Sequence, residues 1–186
     1  MDYNSLKSEA EQKSSASVDV MKKEFAGLRT GRASVHLLDG IRVDAYGAEM
    51  PIDQVASVSA PEAQVLTISV WDAGLSAEVE KAIRESNLGL NPQTAGSVIR
   101  LNLPPLTEER RKELVRVARE YAESAKIAIR NVRQDLLQHI KKAVADKELS
   151  EDEQKRWGED LQKVFDAKNA EIDDLAKQKE SDIMSV

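Results

Sequence analysis

Cysteine is missing from this 186-residue sequence, and aromatic residues make up only 4% of it. Without cysteine the chain can form no disulfide framework, no thiolate metal site and no cysteine nucleophile. It also lacks the roughly 20 consecutive uncharged apolar residues that a membrane-spanning helix needs. Its first residues lack the basic segment and apolar core of a secretory signal. We therefore expect a cytoplasmic protein that is neither secreted nor inserted into a membrane.

Residue patterns for catalysis and cofactor binding are equally scarce. The two histidines, His36 and His139, lie far apart in the sequence and are interpreted as packing or surface residues rather than metal ligands. The chain has no glycine-rich phosphate loop, no nucleophile elbow and no recognisable pair of carboxylates set against an apolar pocket. We expect no catalytic residue, metal, cofactor or small-molecule substrate, and an enzyme ranks last among the functional hypotheses.

Charge is unevenly distributed along the chain. The whole sequence has a net charge of −6, but residues 105–147 contain 11 basic and 7 acidic side chains, a net charge of +4. Residues 31–104 have a net charge of −4, and residues 148–186 one of −6. Because a concentrated basic patch raises local affinity for a polyanion, the acidic average does not exclude nucleic acid as a partner.

Three segments have apolar residues spaced by three and four, which is typical of amphipathic helices. The first runs from Leu6 to Thr30-Gly31, where glycine can end a helix. The second begins after the N-cap residue Thr107 and continues without Gly or Pro to about Asp146, a length on the order of 60 Å. The third opens with a capping box, Ser150 followed three residues later by glutamate.

Between the first and second helices the apolar residues alternate, as they do in strands. The alternation predicts strands around 41–45, 66–70 and 99–103, with a short amphipathic helix around 75–83. Both tryptophans, Trp71 at a strand end and Trp157 on an apolar helix stripe, are predicted to anchor a core.

These elements predict an α+β protein of two domains. None of the long helices can bury its apolar stripe alone, so residues 1–30 and 105–186 should form a three-helix bundle. Residues 31–104 form a smaller inserted α+β domain, a β/α/β sandwich. Two chain connections join the domains and predict a hinge, whose residues are Thr30, Gly31, Arg32, Leu103, Pro104 and Pro105.

A basic stripe follows the second long helix. At 100° per residue, seven cations share an arc of about 100°, and they are Lys112, Arg116, Arg119, Lys126, Arg130, Arg133 and Lys141. One interpretation is a solvated face that pairs with acids of neighbouring helices. The other is an RNA-binding face, because the helix itself places few acids there and arginine forks onto phosphate oxygens. A rigid basic rod suits A-form RNA, whose deep major groove leaves shape and phosphates to be recognised.

Several segments together resemble the ribosome recycling factor family. The resemblance extends in order over essentially the whole chain, which makes it far more specific than one motif. The segments that carry it are 29–34, 37–41, 79–83, 88–92, 103–112 and 130–133.

The resemblance implies an L-shaped, hinged protein that mimics transfer RNA in outline and acts as a bacterial translation factor. Such a factor, expected to be a monomer, binds large-subunit ribosomal RNA and splits the post-termination ribosome together with elongation factor G, which hydrolyses GTP. The RNA-contacting arginines of the family match Arg29, Arg32, Arg130 and Arg133. At the end of the first helix, Arg29 and Arg32 could equally serve to offset the helix dipole.

A helical-bundle adaptor or scaffold for a protein partner is the alternative function. It would bind through an exposed apolar seam and would not need seven cations on one helix face. Salt-sensitive binding to ribosomes separates the two hypotheses, because only the RNA-binding protein requires it.

Overall fold

The computed structural model describes residues 2–86 and 88–185. Within them, the chain forms three long helices, and six short strands lie between the first and second of these in the sequence. The long helices are α1 (Tyr3–Ala26), α3 (Glu108–Ala145) and α4 (Glu151–Met184), and a shorter helix, α2, spans Ser76–Glu85. The α+β class and the three long helices predicted from the sequence are confirmed. None of the helices in this part of the chain is long and apolar enough to cross a membrane.

The predicted helix starts are confirmed by their capping contacts. The backbone N–H of Arg110 donates to the Thr107 hydroxyl at 3.1 Å, which satisfies one free donor at the start of α3. At the start of α4, the N–H of Glu153 donates to the Ser150 hydroxyl at 3.1 Å, and the Ser150 N–H donates to the Glu153 carboxylate at 2.9 Å. This reciprocal capping box lowers the pKa of Glu153. The backbone hydrogen bond from Ser150 is the largest cause, and the hydrogen bond from the Ser150 side chain comes next.

Strands form two antiparallel sheets. The first is a hairpin of β1 (Arg42–Ala45) and β2 (Ala48–Pro51). The second has the strand order β3-β4-β6-β5. Its strands are β3 (Ala56–Glu62), β4 (Val65–Val70), β5 (Pro92–Ala95) and β6 (Val98–Asn102). Strands β1, β4 and β6 confirm the sequence prediction, whereas β2, β3 and β5 escaped it because few of their residues are apolar and buried.

The chain divides into two compact units. One comprises the chain up to Phe25 together with Val115–Ser181, and the other comprises Ala26–Leu114 together with the chain from Asp182. The boundaries between these units fall inside α3 and α4, so they differ from the domain limits expected at residues 30 and 105. The expected domains therefore stay a prediction.

The helical unit buries one side of each long helix. From α1 it buries Leu6, Ala10, Val18 and Met21; from α3, Ala118, Ala125, Ile129 and Leu136; and from α4, Trp157, Leu161, Phe165 and Ile172. The rings of Tyr3 and Trp157 lie 5.4 Å apart and join α1 to α4. Ser14 occupies a core position of α1, fully buried, and its hydroxyl has no hydrogen-bond partner among the described residues.

The second unit has its own core, formed by the inner strands, the hairpin and α2. Leu66, Ile68, Ile99 and Leu101 are fully buried, as are Val79 and Ile83 of α2. The prediction for Trp157 is confirmed, since this side chain is 7% exposed. The prediction for Trp71 is wrong, because its side chain is 65% exposed. Val70, the last residue of β4, is buried, so the alternation of the strand places the next residue, Trp71, on the outward face with Ser69.

The first long helix ends earlier than the sequence predicted. It stops at Ala26, immediately before Gly27, rather than at Thr30-Gly31. Glycine has the lowest helix propensity apart from proline, so Gly27 is a sufficient reason for the end. Residues 27–34 then form the irregular connection that leads toward β1.

Candidate nucleic-acid interface

The basic stripe of α3 splits into two rows. The inner row contains Arg119, Lys126 and Arg133, which lie seven residues apart and face α4. Arg119 forms a bidentate pair with Glu180, with Nε–Oε1 and Nη2–Oε2 distances of 2.6 and 3.2 Å. The Lys126 ammonium lies 2.5 Å from Asp173. Arg133 Nε donates to Gln162 Oε1 at 2.7 Å, and the Gln162 amide donates to Asp166 at 2.8 Å.

The seven-residue spacing is repeated on α4. Asp166, Asp173 and Glu180 are also seven residues apart, in the opposite chain direction. An antiparallel helix pair keeps such a repeat in register, because seven residues are close to two helical turns. Each inner cation therefore has a partner on α4, and the hydrogen bond with Glu180, followed by its charge, raises the pKa of Arg119.

The outer row contains Arg116, Arg130 and Lys141, which are all exposed. Among the described residues, none of these side chains has an ion-pair or hydrogen-bond partner. One acid, Glu123, lies on the same face of α3, and around the helix axis it falls between Arg116 and Arg130. The outer row therefore presents three cations against one acid between residues 116 and 141, over about 38 Å at the usual rise.

The two interpretations of the stripe thus apply to different residues. Pairing with a neighbouring helix describes the inner row, where Arg119 and Lys126 contact acids of α4 and Arg133 contacts the Gln162 amide. An unpaired basic face describes the outer row. Lys112, in the other unit, pairs with Glu108 at 3.1 Å within its own helix.

Arg29 fastens the two connecting segments to each other. Its guanidinium donates to the carbonyl oxygen of Pro104, while its Nε is buried without a partner among the described residues. Partial burial, and then the nearby positive charge of Arg111, lowers the pKa of Arg29. Arg32 is exposed, and its side chain has no partner in the described chain. The two predicted RNA-contacting arginines of this segment therefore differ, with one partly engaged and the other free.

The predicted hinge residues have specific contacts. The Gly31 N–H donates to the Asp182 carbonyl at 3.5 Å, and a Cβ added to Gly31 would lie 2.7 Å from the Ser185 carbonyl oxygen. Glycine is needed there for room rather than for a left-handed backbone, since Gly31 is not among the residues with positive φ. Leu103 is buried in the core of its unit, and its N–H donates to the Gln64 carbonyl at 2.8 Å. The role of these residues as a hinge stays a prediction.

The second unit also holds the last described residues against α3. The Arg111 guanidinium donates to the carbonyl oxygens of Ile183 and Ser185, both at 2.5 Å. Ile183 is fully buried. These are backbone oxygens near the carboxyl end of α4, where the helix leaves acceptors unsatisfied, so a cation is well placed there.

The histidines lie away from any candidate site for a metal. His36 Nδ1 is 3.0 Å from Asp39 on the surface, and His139 is exposed on α3. In the described part of the chain, no group of three or more histidine, cysteine, aspartate or glutamate residues could hold a metal ion.

Comparison with known proteins gives a consistent result. A family model described as ribosome recycling factor matches residues 21–184. The ribosome-recycling factor of Xanthobacter autotrophicus is 53% identical over 179 residues, 96% of each chain. That of Nitratidesulfovibrio vulgaris is 49% identical over 186 residues, and the match covers 100% of both.

Solved structures agree with the sequence relatives. A solution structure of the ribosome recycling factor is 45% identical, with a TM-score of 0.79, and the match covers 100% of this chain and 99% of that one. A second match, of 44% identity and TM-score 0.69, covers both chains completely. It is to models for the T. thermophilus ribosome recycling factor and the E. coli elongation factor G bound to the E. coli post-termination complex.

Three long helices together with two small antiparallel sheets define the class as an α+β protein, and one face of α3 carries cations that have no partner among the described residues. Matches to ribosome-recycling factors at about 50% identity, over nearly the full length, show which family of such proteins it is. The chain belongs to the ribosome recycling factor family.

Proposed function

We propose that the chain binds the post-termination ribosome and splits it into subunits, together with elongation factor G and GTP hydrolysis on that partner. Splitting would free messenger and transfer RNA for a new round of translation. The observation that carries the proposal is the match to ribosome recycling factors over the whole chain. The relative whose models include elongation factor G on a post-termination complex supports the choice of partner.

The outer row is the part of α3 that we assign to large-subunit ribosomal RNA. Arg116 and Arg130 are exposed and unpaired among the described residues, so they can fork onto phosphate oxygens without first breaking an ion pair. The inner-row cations would have to leave their α4 partners to do the same, so they contribute less. Arg32 is similarly available, whereas Arg29 would keep its bond to Pro104.

The protein acts in this proposal without a catalytic centre of its own. GTP hydrolysis belongs to the elongation factor, and the chain contributes binding and movement. The bundle holds RNA, and the inserted domain moves about the hinge formed by 30–32 and 103–105 when the elongation factor acts on it. The action would take place in the cytoplasm, where the chain would bind the ribosome as a monomer.

Co-sedimentation tests the binding step. The full chain is spun with ribosomes and with isolated subunits at low and high salt. The proposed function predicts binding to the large subunit that weakens linearly with the logarithm of the salt concentration. Absence of binding, or binding that does not respond to salt, would favour the adaptor or scaffold alternative instead.

A further inference from the structure

Arg133 differs from the other cations of the inner row in the kind of partner it has. Arg119 and Lys126 contact carboxylates of α4, which offset their charge. Arg133 instead contacts a neutral group, because its Nε donates to Gln162 Oε1 at 2.7 Å. In the part of the chain that the structure describes, no carboxylate lies within ion-pair distance of its guanidinium. Arg133 is therefore held on the helical unit while it keeps its full positive charge.

A second hydrogen bond fixes the orientation of the Gln162 amide. Its Nε2 donates to Asp166 Oδ1 at 2.8 Å. Arginine can only donate hydrogen bonds and an ionised carboxylate can only accept them. The amide oxygen therefore has to face Arg133, and the amide nitrogen has to face Asp166. The three side chains, all in the same compact unit, form a relay with a fixed direction.

The relay engages only one nitrogen of the Arg133 guanidinium. Its Nη1 and Nη2 have no hydrogen-bond or ion-pair partner among the described residues. These two nitrogens form a planar fork that matches two phosphate oxygens. Arg119, by contrast, already uses Nε and Nη2 to bind Glu180. Arg133 is thus the exception among the inner-row cations, because it can bind a phosphate without leaving its α4 partner.

We propose that Gln162, held by Asp166, is a positioning residue that presents the Arg133 guanidinium to a phosphate of large-subunit ribosomal RNA. Arg130 lies three residues earlier on the same helix and is exposed. An arginine that is already oriented therefore lies beside one that has no partner in the described chain, and both can contact the same stretch of RNA backbone. The inference rests on the proposed function, which supplies the RNA as the partner of α3.

Orientation of Arg133 before binding should raise the affinity for RNA. A long side chain loses rotamer freedom when an interface immobilises it, and this loss weakens binding by about two- to tenfold. The hydrogen bond to Gln162 has already removed part of that freedom in the free protein. A glutamate in place of Gln162 would also restrain the arginine, but it would offset the charge that attracts phosphate.

Gln162→Met in the full chain tests the effect on binding. Methionine keeps an unbranched side chain and a similar helix propensity, but its sulfur is only a weak acceptor. Affinity for isolated large subunits, measured at four salt concentrations, should fall by about two- to tenfold. The slope of log affinity against log salt should stay at the parent value, because Arg133 retains its charge. Arg133→Ala should instead lower that slope by about one unit.

Two further measurements separate positioning from a merely structural role. In the free protein, NMR should show the Arg133 Nε–H proton exchanging with water about tenfold faster in Gln162→Met than in the parent. In the Arg133→Ala background, Gln162→Met should weaken binding no further. Gln154→Met is the matched control on α4, since the side chain of Gln154 is half-buried and has no partner among the described residues. It should change neither the exchange rate nor the affinity.

The outcomes distinguish the two proposals. A parent chain that does not bind large subunits overturns the proposed function, and the role of Gln162 is overturned with it. If the parent binds, parent-like affinity of Gln162→Met or of Arg133→Ala overturns the positioning role alone. An equal loss from Gln162→Met with and without the Arg133 side chain overturns it as well. So does an unchanged exchange rate of the Arg133 Nε–H, even where binding is weakened.

Discussion

Replacing single cations of α3 should separate its two rows. The informative pair is Arg130→Ala in the outer row and Arg119→Ala in the inner row. Both are exposed arginines of the same helix, and alanine is the best helix former, so the helix itself should tolerate either change. They differ in one respect, because Arg119 is engaged by Glu180 and Arg130 has no partner among the described residues.

The expected magnitudes follow from that difference. Loss of one phosphate contact at Arg130 should weaken ribosome binding by about tenfold, or about 1.4 kcal/mol. It should also lower the slope of log affinity against log salt by about one unit. Arg119→Ala removes a cation whose charge Glu180 already offsets, so both effects should be much smaller.

For the free energy of unfolding we expect the opposite order, with the larger effect from Arg119→Ala. Arg130→Ala should change the free energy of unfolding by less than about 0.5 kcal/mol, as is usual for exposed sites without partners. Arg119→Ala breaks a surface ion pair, which is worth up to about 1 kcal/mol after solvent screening. Urea unfolding monitored by circular dichroism measures the change in the free energy of unfolding. Sedimentation with large subunits at four salt concentrations measures binding.

The assignment of the rows would be refuted if Arg119→Ala weakened binding as much as Arg130→Ala did. It would also be refuted if Arg130→Ala bound like the parent protein at moderate salt. The double variant is a further check, since residues on separate rows that share no partner should have additive effects.

Three further predictions concern stability. Gly31→Ala should destabilise the protein by about 1–3 kcal/mol in urea unfolding, because its Cβ would lie 2.7 Å from the Ser185 carbonyl oxygen. Glu153→Gln keeps the capping box but removes its titration. Because the pKa of Glu153 is lowered in the folded protein, its contribution is present above the ordinary value of 4.5 and is lost as pH falls through the lowered pKa. The variant should therefore lose stability less steeply below pH 4.5 in thermal unfolding at a series of pH values. Ser14→Ala should raise the free energy of unfolding by about 1 kcal/mol, because it removes a buried hydroxyl without a partner in the described chain.

Each of these predictions has a contradicting result. Gly40→Ala is the control for Gly31, since nothing lies within 4 Å of a Cβ there, and an equal loss in both would contradict the steric reason. A parent-like pH profile for Glu153→Gln would show that the capping box carries no pH-dependent stability. Ser17→Ala is the control for Ser14, because its hydroxyl donates to the Lys13 carbonyl at 3.1 Å, and an equal gain there would point to helix propensity alone.

The long helices could be predicted because their signals are local. Periodic apolar residues, the N-cap Thr107 and the capping box at Ser150 all act within one or two turns, and the structure confirms each of them. Strands β3 and β5 could not be predicted in the same way. Both are edge strands whose few buried side chains leave little alternation, and pairing with β4 and β6 determines them.

The candidate site was predictable only in part. Helical angles placed the cations of α3 on one face, but they could not show that acids of α4 pair with two of them, Arg119 and Lys126. The repeat of seven at Asp166, Asp173 and Glu180 was the available signal, and it needed the antiparallel register of α3 and α4 to be interpreted. The exposure of Trp71 was predictable from the alternation of β4, because Ile68 and Val70 face the core and Trp71 falls on the other face with Ser69.

Light scattering of post-termination ribosomes tests the central claim most directly. The full chain is mixed with ribosomes, elongation factor G and GTP, and the fall in scattering reports separation into subunits. The proposed function predicts a fall that requires the chain, the elongation factor and hydrolysable GTP together. Scattering that stays constant with all three present, while a known ribosome recycling factor lowers it in the same mixture, would contradict the claim.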